Sequence, residues 1–313
     1  MKKKQRYGKS AKEQIQASLN DRLYNFLLAG DTVRGVIVNG TRMVNEMRWN
    51  HELNILETLV LGHAYLAAAL MSAGLKGNDR LSLQVECSGP IKGFFVEANA
   101  FGEVRGYLKQ LPIPVSEPLN SFDLSPFFGA GFISVTKYLE DSRHPFRGEV
   151  MMEHGSLAKD LAVYYQRSEQ IHTAVALSVA FDGAGEAEGA AGLLLQALPG
   201  AEEKVLSEIE HRLSHMSTLA KTVNAADFPG SALGQILGGL GPRIIDHRGV
   251  EFMCHCNRKR IVTMLYMLKA EDLSDMATAG PFPVEIRCHN CNTVYTFTQN
   301  QLQALYNQRF NRS

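Results

Sequence analysis

Four of the five cysteines in this 313-residue chain form two close pairs toward its C-terminal end. The pairs are a C-H-C motif at positions 254–256 and a C-H-N-C motif at positions 288–291, and 31 residues separate them. Two thiol pairs joined by a loop of about thirty residues can surround one metal ion, and four thiolates in a tetrahedron form a common type of zinc site. The sequence therefore predicts one zinc ion with four ligands, Cys254, Cys256, Cys288 and Cys291.

The spacing within the two pairs differs, and the difference leaves three kinds of site open. C-x-x-C is common in zinc ribbons and fingers, whereas C-x-C is tighter than the spacing of a purely structural site. A disulfide within C-x-C closes a small strained ring, and strained disulfides are typical of regulatory thiols. A structural zinc module, a redox switch that loses zinc as two local disulfides form, and a thiol oxidoreductase or iron–sulfur site remain open. The oxidoreductase is disfavoured because its motif lacks the strand-then-helix setting of thioredoxin-like proteins.

The residues around the two pairs are basic or polar. An R-K-R run at positions 258–260 follows the first pair, and Arg287 precedes the second. These cations can offset the charge of a zinc ion bound by four thiolates, and they also increase the fraction of reactive thiolate. His255 and His289 are alternative ligands, less favoured because each lies beside or between cysteines that already project toward the ion.

The fifth cysteine, Cys87, lies far upstream at the end of an alternating run, and we expect it to be a small buried apolar residue with a free thiol. The phosphate-binding loop G-x-x-x-x-G-K-[ST], the G-x-S-x-G nucleophile elbow and the H-E-x-x-H helix are absent from the sequence. The sequence therefore predicts that the protein is not an enzyme.

Composition and charge indicate a cytoplasmic protein with a sizeable core. Hydrophobic residues make up 45% of the chain, and Lys+Arg equals Asp+Glu at 32 each, so no overall field favours nucleic acid or membrane surfaces as partners. The basic start of the chain lacks the apolar core of a secretory signal. The apolar stretch from Leu59 to Leu75 is shorter than the roughly 20 residues that span a bilayer. Close thiol pairs in a reducing cytosol indicate metal or redox chemistry.

The residue pattern predicts an α+β fold, with an N-terminal domain formed by an antiparallel sheet and packed helices. The predicted strands are 33–38, 81–86, 93–96, 104–108, 132–138, 146–152 and 173–181. The predicted helices are 14–28, 51–75 and 156–168. We expect Asn39-Gly40 to turn the first strand back as a hairpin.

The remaining chain divides into a linker and a small tail. Apolar residues recur at helical spacing from Glu202 to Val223, and the segment from Gly238 to Pro242 is costly to order because it contains three glycines and a proline. The tail, with a predicted helix around Leu265 and a strand at 294–297, is too small to fold comfortably without a metal. The predicted parts are an N-terminal domain at 1–201, a metastable linker at 202–249 and a zinc domain at 250–313.

Several motifs together resemble the 33 kDa heat-shock family of redox-regulated bacterial chaperones. The C-x-C and C-x-x-C pairs are followed by V-Y-T-F at 294–297, and the upstream chain contains S-G-P at 88–90, Y-Y-Q-R-S-E-Q at 164–170 and G-L-L-L-Q-A-L-P at 192–199. The resemblance extends from about Asp21 to Phe297. The chain departs from the family pattern in the residues that follow the first pair and at Asn290, but all four cysteines are kept.

The resemblance implies an ATP-independent holdase, a chaperone that binds unfolding client proteins and prevents their aggregation. In the reduced state four thiolates hold zinc, and the linker packs on the N-terminal domain. The resemblance further implies that oxidation forms Cys254–Cys256 and Cys288–Cys291 disulfides, releases zinc, unfolds the linker and activates the protein together with homodimerisation. A constitutive zinc-ribbon adaptor that binds a protein or RNA partner regardless of redox state is the alternative hypothesis.

Overall fold

The computed structural model of the chain describes residues 21–115, 121–214, 219–223 and 227–310. The chain forms two compact units, of which the larger extends to Met253 and the smaller begins at Cys254. The larger unit contains the strands β1 Arg22–Leu28, β2 Val33–Asn39, β3 Arg80–Cys87, β4 Gly93–Asn99, β5 Glu103–Leu108, β6 Gly131–Tyr138, β7 Phe146–Met151, β8 Thr173–Phe181, β9 Ala187–Ala197, β10 Arg243–Gly249 and β11 Glu251–Phe252. Its helices are α1 Thr41–His51, α2 Ile55–Met71, α3 Ser125–Phe128, α4 Leu157–Tyr164, α5 Glu203–Ser214, α6 Leu219–Val223 and α7 Gly230–Leu237.

The strands of the larger unit form two sheets, which confirms the predicted α+β fold. The five-stranded sheet has the order β10-β1-β2-β9-β8 and is antiparallel throughout. The six-stranded sheet has the order β11-β5-β4-β3-β6-β7, and within it β11 pairs parallel to β5. The strands predicted at 81–86, 93–96 and 104–108 correspond to β3, β4 and β5, and each of them pairs with the next in antiparallel register.

Helix α2 lies in the main core, which contains apolar residues of both sheets. Val36 and Leu194 of the five-stranded sheet and Leu83 and Val96 of the six-stranded sheet belong to the same buried cluster as the apolar residues of α2. The helical segment Ile55–Gly74 has 20 residues and a mean hydropathy of 1.5, so by length and composition alone it could cross a membrane. However, 89% of its apolar window is buried inside the protein, as is typical of the core helix of a globular domain.

The predicted helix at 14–28 is wrong where the structure describes it, because Arg22–Leu28 is the strand β1; residues 14–20 lie outside the described part of the chain. β1 pairs with β2 on one side and with β10 on the other. Its side chains are buried on both faces, with Leu23 in the main core and Phe26 and Leu28 in a second core. Burial on both faces removes the alternation by which a strand is distinguished from a helix in sequence.

The predicted hairpin turn at Asn39-Gly40 is also wrong. The side chain of Asn39 accepts hydrogen bonds from the backbone amide of Thr41 at 3.2 Å and from its hydroxyl at 2.8 Å. These bonds start helix α1 instead of returning the strand, because asparagine favours local turns that compete with strand pairing. β2 instead has β1 and β9 as its neighbours.

Helices of the predicted linker cover the outer face of the five-stranded sheet. We call α5, α6 and α7 the linker helices. Their residues Ile209, Leu219 and Leu233 are at most 2% exposed and share the second core with Ile37 and Leu193 of the sheet. Since burying a large apolar side chain contributes about 1.5–3 kcal/mol, this face is stabilised mainly by the linker helices that cover it.

The chain between the linker helices and Cys254 adds one short strand to each sheet. β10 pairs with β1 at the edge of the five-stranded sheet, and most of its side chains are exposed, including Ile244 and Ile245. β11 pairs with β5, where the ring of Phe252 stacks on that of Tyr65 at 6.2 Å. The two strands therefore connect the end of the linker to both sheets.

The smaller unit is a β-hairpin packed with three helices. Its strands are β12 Val284–Arg287 and β13 Val294–Phe297, and its helices are α8 Arg258–Leu265, α9 Ala270–Thr278 and α10 Gln299–Phe310. Its buried apolar cluster has six members, Ile261, Leu265, Leu273, Ala277, Phe297 and Leu302. So small a core supplies little folding free energy, which agrees with the expectation that this part of the chain needs a metal.

His63, in the middle of α2, provides a pH-dependent measure of the stability of the larger unit. Burial lowers its pKa from 6.5 to about 4. Its contribution to stability is therefore complete above pH 6.5 and is lost as the pH falls toward 4, because the unfolded chain binds a proton that the folded chain does not bind. We expect the stability of a His63→Leu variant to fall by about 3 kcal/mol less than that of the wild type between pH 7 and pH 4. Urea unfolding followed by the fluorescence of Trp49, the only tryptophan, measures this. The same pH dependence in both proteins would contradict the assignment.

Candidate metal centre

The first cysteine pair lies in the loop between β11 and α8. Asn257, directly after Cys256, is the N-cap of α8, and its side chain accepts a hydrogen bond from the amide of Arg260 at 3.0 Å. Arg260 in turn donates to the carbonyl oxygen of His255 at 2.9 Å. N-cap residues fix the entry of the chain into a helix, so these two bonds hold the C-H-C loop against the start of α8.

The second cysteine pair lies in the turn between β12 and β13. The amide of Asn292 donates to the carbonyl oxygen of Cys288 at 2.8 Å, and the amide of Cys288 donates to the carbonyl oxygen of Thr293 at 3.0 Å. Asn292 has a φ of 53°, a left-handed conformation that asparagine tolerates better than most residues. The turn therefore presents Cys288 and Cys291 on a closely hydrogen-bonded loop.

The four sulfur atoms lie within 4.8 Å of one another. Cys254 Sγ is 3.8 Å from Cys288 Sγ, and Cys256 Sγ is 3.3 Å from Cys291 Sγ. Zinc–sulfur bonds of about 2.3 Å in a tetrahedron require sulfur atoms about 3.8 Å apart. The cluster therefore fits a tetrahedral metal ion, and its four cysteines can bind one.

The electrostatics of the cluster also favour a cation. Hydrogen bonds from the thiols of Cys288 and Cys291 lower the pKa of Cys254 well below its usual range, and the same contact with Cys254 raises the pKa of Cys288. One thiolate is thus stabilised by neighbours that keep their protons. All four can become thiolates together only if a cation offsets their mutual repulsion, and binding of that cation releases protons.

Two hydroxyl groups, which the sequence did not predict as part of the site, lie beside the sulfur atoms. The phenol of Tyr295 donates to Cys256 Sγ at 3.1 Å, and the hydroxyl of Thr293 lies 3.3 Å from Cys291 Sγ. Tyr295 lies on β13, whereas Thr293 and Cys291 lie in the turn before that strand. Thr293 could have been identified by its short sequence distance from Cys291, but no local signal connects Tyr295 with Cys256, which is 39 residues away.

The basic residues that the sequence offered as counter-charges fasten the loops around the site. The guanidinium of Arg258 lies 4.2 Å from the centre of the Phe297 ring and donates to the carbonyl oxygen of Thr296 at 2.9 Å. Arg287 lies 3.3 Å from the side-chain oxygen of Asn292. Among the described residues, the group of close donor atoms consists of the four cysteines and does not include His255 or His289.

Cys87 is far from the four clustered cysteines in sequence, and it belongs to the larger unit. It ends β3, is partly buried against the main core and has a free thiol. Burial raises its pKa, so at neutral pH it is largely a protonated thiol and a poor nucleophile. It therefore serves as a cysteine control for the four clustered thiols.

We expect a Cys288→Ser variant to bind zinc more than about 100-fold less tightly than the wild type, because loss of a supporting residue alone costs 10–100-fold and a ligand contributes more. A Cys87→Ser variant should keep one zinc per chain. Elemental analysis after dialysis against a chelator measures both. Equal zinc retention by the Cys288→Ser variant and the wild type would contradict the ligand assignment.

The chain is similar to known proteins in both sequence and fold. The family model described as Hsp33 protein matches residues 21–298. The 33 kDa chaperonin of Ruminiclostridium cellulolyticum is 31% identical over 92% of this chain and 98% of its own length, and that of Desulforamulus reducens is 34% identical over 85% and 90%. The crystal structure of the 33 kDa chaperonin, or heat shock protein 33 homolog, from Thermotoga maritima covers 94% of this chain and all of its own, with a TM-score of 0.83 and 30% identity. The chain therefore belongs to the Hsp33 family of chaperones.

Proposed function

We propose that the protein is an ATP-independent holdase that is inactive while its four clustered cysteines are reduced and bind zinc, and active once they are oxidised. The observation that carries the proposal is the second core. An apolar sheet face is covered by helices that belong to a glycine-interrupted segment, and that segment leads directly to the four thiols. The proposal keeps the division expected from the sequence, with an N-terminal domain at 1–201, a linker at 202–249 and a zinc domain at 250–313.

Zinc bound to Cys254, Cys256, Cys288 and Cys291 would supply the cross-link that the six-residue core of the smaller unit needs in order to stay folded. Oxidation changes the ligands themselves, because a sulfur atom in a disulfide is no longer a thiolate donor. Loss of structural zinc removes roughly 10 kcal/mol of apparent folding free energy, which exceeds what so small a core provides.

We propose that oxidation forms the local disulfides Cys254–Cys256 and Cys288–Cys291. The distances in the reduced cluster do not select this pairing, since Cys256 Sγ lies only 3.3 Å from Cys291 Sγ. Chain length does, because once the unit opens the partner within a pair has a far higher effective concentration than a thiol more than thirty residues away.

Unfolding of the smaller unit would leave the linker held only by its contacts with the larger unit. The second core and the strand β10 provide most of these contacts. The glycines at 238, 239 and 241 increase the conformational entropy that this segment loses on folding, and they therefore reduce its stability. Departure of the linker helices would expose Ile37, Leu193 and their neighbours, an apolar face of the kind that binds unfolded chains.

The proposed partners are unfolding proteins and, in the active form, a second copy of the chain, and the proposed location is the cytoplasm. A constitutive adaptor with a structural zinc ribbon would instead bind its partner equally well in both redox states.

We expect the oxidised protein, at equal concentration and without ATP, to suppress aggregation of a thermally unfolding client, and the reduced zinc form not to do so. Light scattering of the client measures this, and equal protection by both forms would favour the adaptor.

Peptide mapping of the oxidised sample is the control for this assay. It should show the two local disulfides, with Cys87 as a free thiol. A dominant cross-link between the pairs, such as Cys256–Cys291, would contradict the proposed pairing even if the oxidised protein is active.

Arg248, on β10, holds the end of the linker to the larger unit. Its guanidinium donates to the carbonyl oxygen of Ala100 at 2.7 Å and to the hydroxyl of Ser72 at 2.9 Å, and it also bonds to the carbonyl oxygen of Ser72, the C-cap of α2. Burial lowers the pKa of Arg248, and the charge of Asp246 partly offsets this effect. A cation at a helix C-terminus is further stabilised by the helix dipole.

We expect an Arg248→Met variant to weaken linker attachment by about 2–3 kcal/mol, because charged hydrogen bonds are lost and the carbonyl groups keep no equivalent donor. In the reduced, zinc-loaded protein its linker should be cleaved faster by a protease that cuts after apolar residues. Arg243→Met, on the same strand, is the matched control, because Arg243 pairs with Asp31 on the surface and such pairs contribute about 0–1 kcal/mol. Equal cleavage of the two variants would contradict this role of Arg248.

A further inference from the structure

We propose that the hydroxyl group of Tyr295 slows oxidation of Cys256 and thereby sets how much oxidant is needed to open the metal centre. Tyr295 would be a positioning residue that acts through the sulfur atom. The inference rests on the proposed function, because it assumes that oxidation of the four cysteines is the activating event.

The position of Tyr295 connects the two cysteine pairs. It lies on β13, directly after the turn that carries the second pair, opposite Ile286 in the hairpin register. Its ring packs against the small apolar core, and its hydroxyl donates to Cys256 Sγ of the first pair at 3.1 Å. The hairpin that carries the second pair thus provides a hydroxyl group that is hydrogen-bonded to a sulfur atom of the first pair, 39 residues away in sequence.

The donors to the four sulfur atoms are unequal. The thiol of Cys291 donates to the hydroxyl of Thr293, two residues away in the same turn, at 3.3 Å, so this contact is local and gives the sulfur no hydroxyl donor. Cys254 receives a hydrogen bond from the amide of Cys256. Cys256 is the sulfur whose hydroxyl donor comes from a separate element, and this contact persists only while hairpin and loop stay together. Tyr295 therefore protects Cys256 as long as the unit is folded.

The chemistry of oxidation shows why such a donor matters. With hydrogen peroxide as oxidant, a thiolate sulfur attacks one peroxide oxygen, the O–O bond breaks, and a sulfenic acid and a hydroxide ion form. The partner thiolate then attacks the sulfenic sulfur and a second hydroxide leaves, so that the two sulfurs lose two electrons and peroxide gains them. A hydrogen bond to the sulfur stabilises its negative charge and lowers its nucleophilicity.

The test compares Tyr295→Phe with Tyr266→Phe in the full-length, zinc-loaded protein. Tyr266 lies in the same unit, and its hydroxyl bonds to Gln308 rather than to a sulfur atom. Loss of one charged hydrogen bond should speed zinc release under peroxide by about three- to tenfold in Tyr295→Phe, and by less than about twofold in Tyr266→Phe. Every variant is first loaded with excess zinc, so that all variants start with the metal bound, and unbound zinc is removed. A chromophoric zinc chelator then follows the release of zinc during oxidation.

A second readout separates protection of the sulfur from general loosening of the unit. The zinc-loaded proteins are treated with iodoacetamide, and alkylation of each cysteine is measured by mass spectrometry. The inference requires that the alkylation rate of Cys256 relative to that of Cys288 be higher in Tyr295→Phe than in the wild type. Equal acceleration at all four cysteines, or release rates equal to the wild type, would overturn it. A wild-type protein that binds no zinc would overturn the proposed function, whereas a zinc-loaded, redox-active wild type with an unchanged Tyr295→Phe variant would overturn this inference alone.

Discussion

Four sulfur atoms within 4.8 Å of one another repel one another strongly once they are thiolates, and the fold of the smaller unit depends on how that repulsion is offset. Without a cation, hydrogen bonds among the thiols stabilise one thiolate and keep its neighbours protonated, as the opposite pKa shifts of Cys254 and Cys288 show. With a cation all four sulfurs can be ligands, and the loop and the hairpin that carry them are cross-linked. Under the proposed function, the folded state of residues 254–310 would depend on the oxidation state of the four sulfur atoms, because the small apolar core cannot replace that cross-link.

The route from this cluster to the rest of the chain is short. One residue separates the end of β11 from Cys254, and one residue separates β10 from β11. Both strands lie at sheet edges, where a strand has a partner on one side only, and most side chains of β10 are exposed. Apart from the second core, the contacts that hold this end of the linker are therefore few. The partly buried hydrogen bonds of Arg248 are among these contacts, whereas the exposed ion pair of Arg243 and Asp31 adds little.

The sequence predicted the parts of the structure whose signals are local. The spacing of the cysteines identified the cluster, and strict alternation identified β3, since one of its faces is buried and the other is largely polar. The same rule failed for β1 and left β9 unpredicted, because strands buried on both faces lack alternation. Arg248 could not be predicted, since its partners lie 148 and 176 residues away in sequence. Tyr295 could not be predicted either, since the sulfur atom that it contacts belongs to Cys256, 39 residues away in sequence.

The two cores of the larger unit explain how a covering segment can leave without loss of the fold. The main core contains buried residues of α1, α2 and both sheets, and its buried members include none of the described residues within 202–249. The linker helices contribute to the second core alone, on the opposite face of the five-stranded sheet. Their departure, as proposed, would remove the apolar contacts of that face but leave the sheet paired and packed on α2. The strands that present Ile37 and Leu193 keep their register, because it is set by pairing among β1, β2, β9 and β8 and by side chains on the other face. An apolar surface uncovered in this way is therefore a stable platform, whereas unfolding of the main core would leave none.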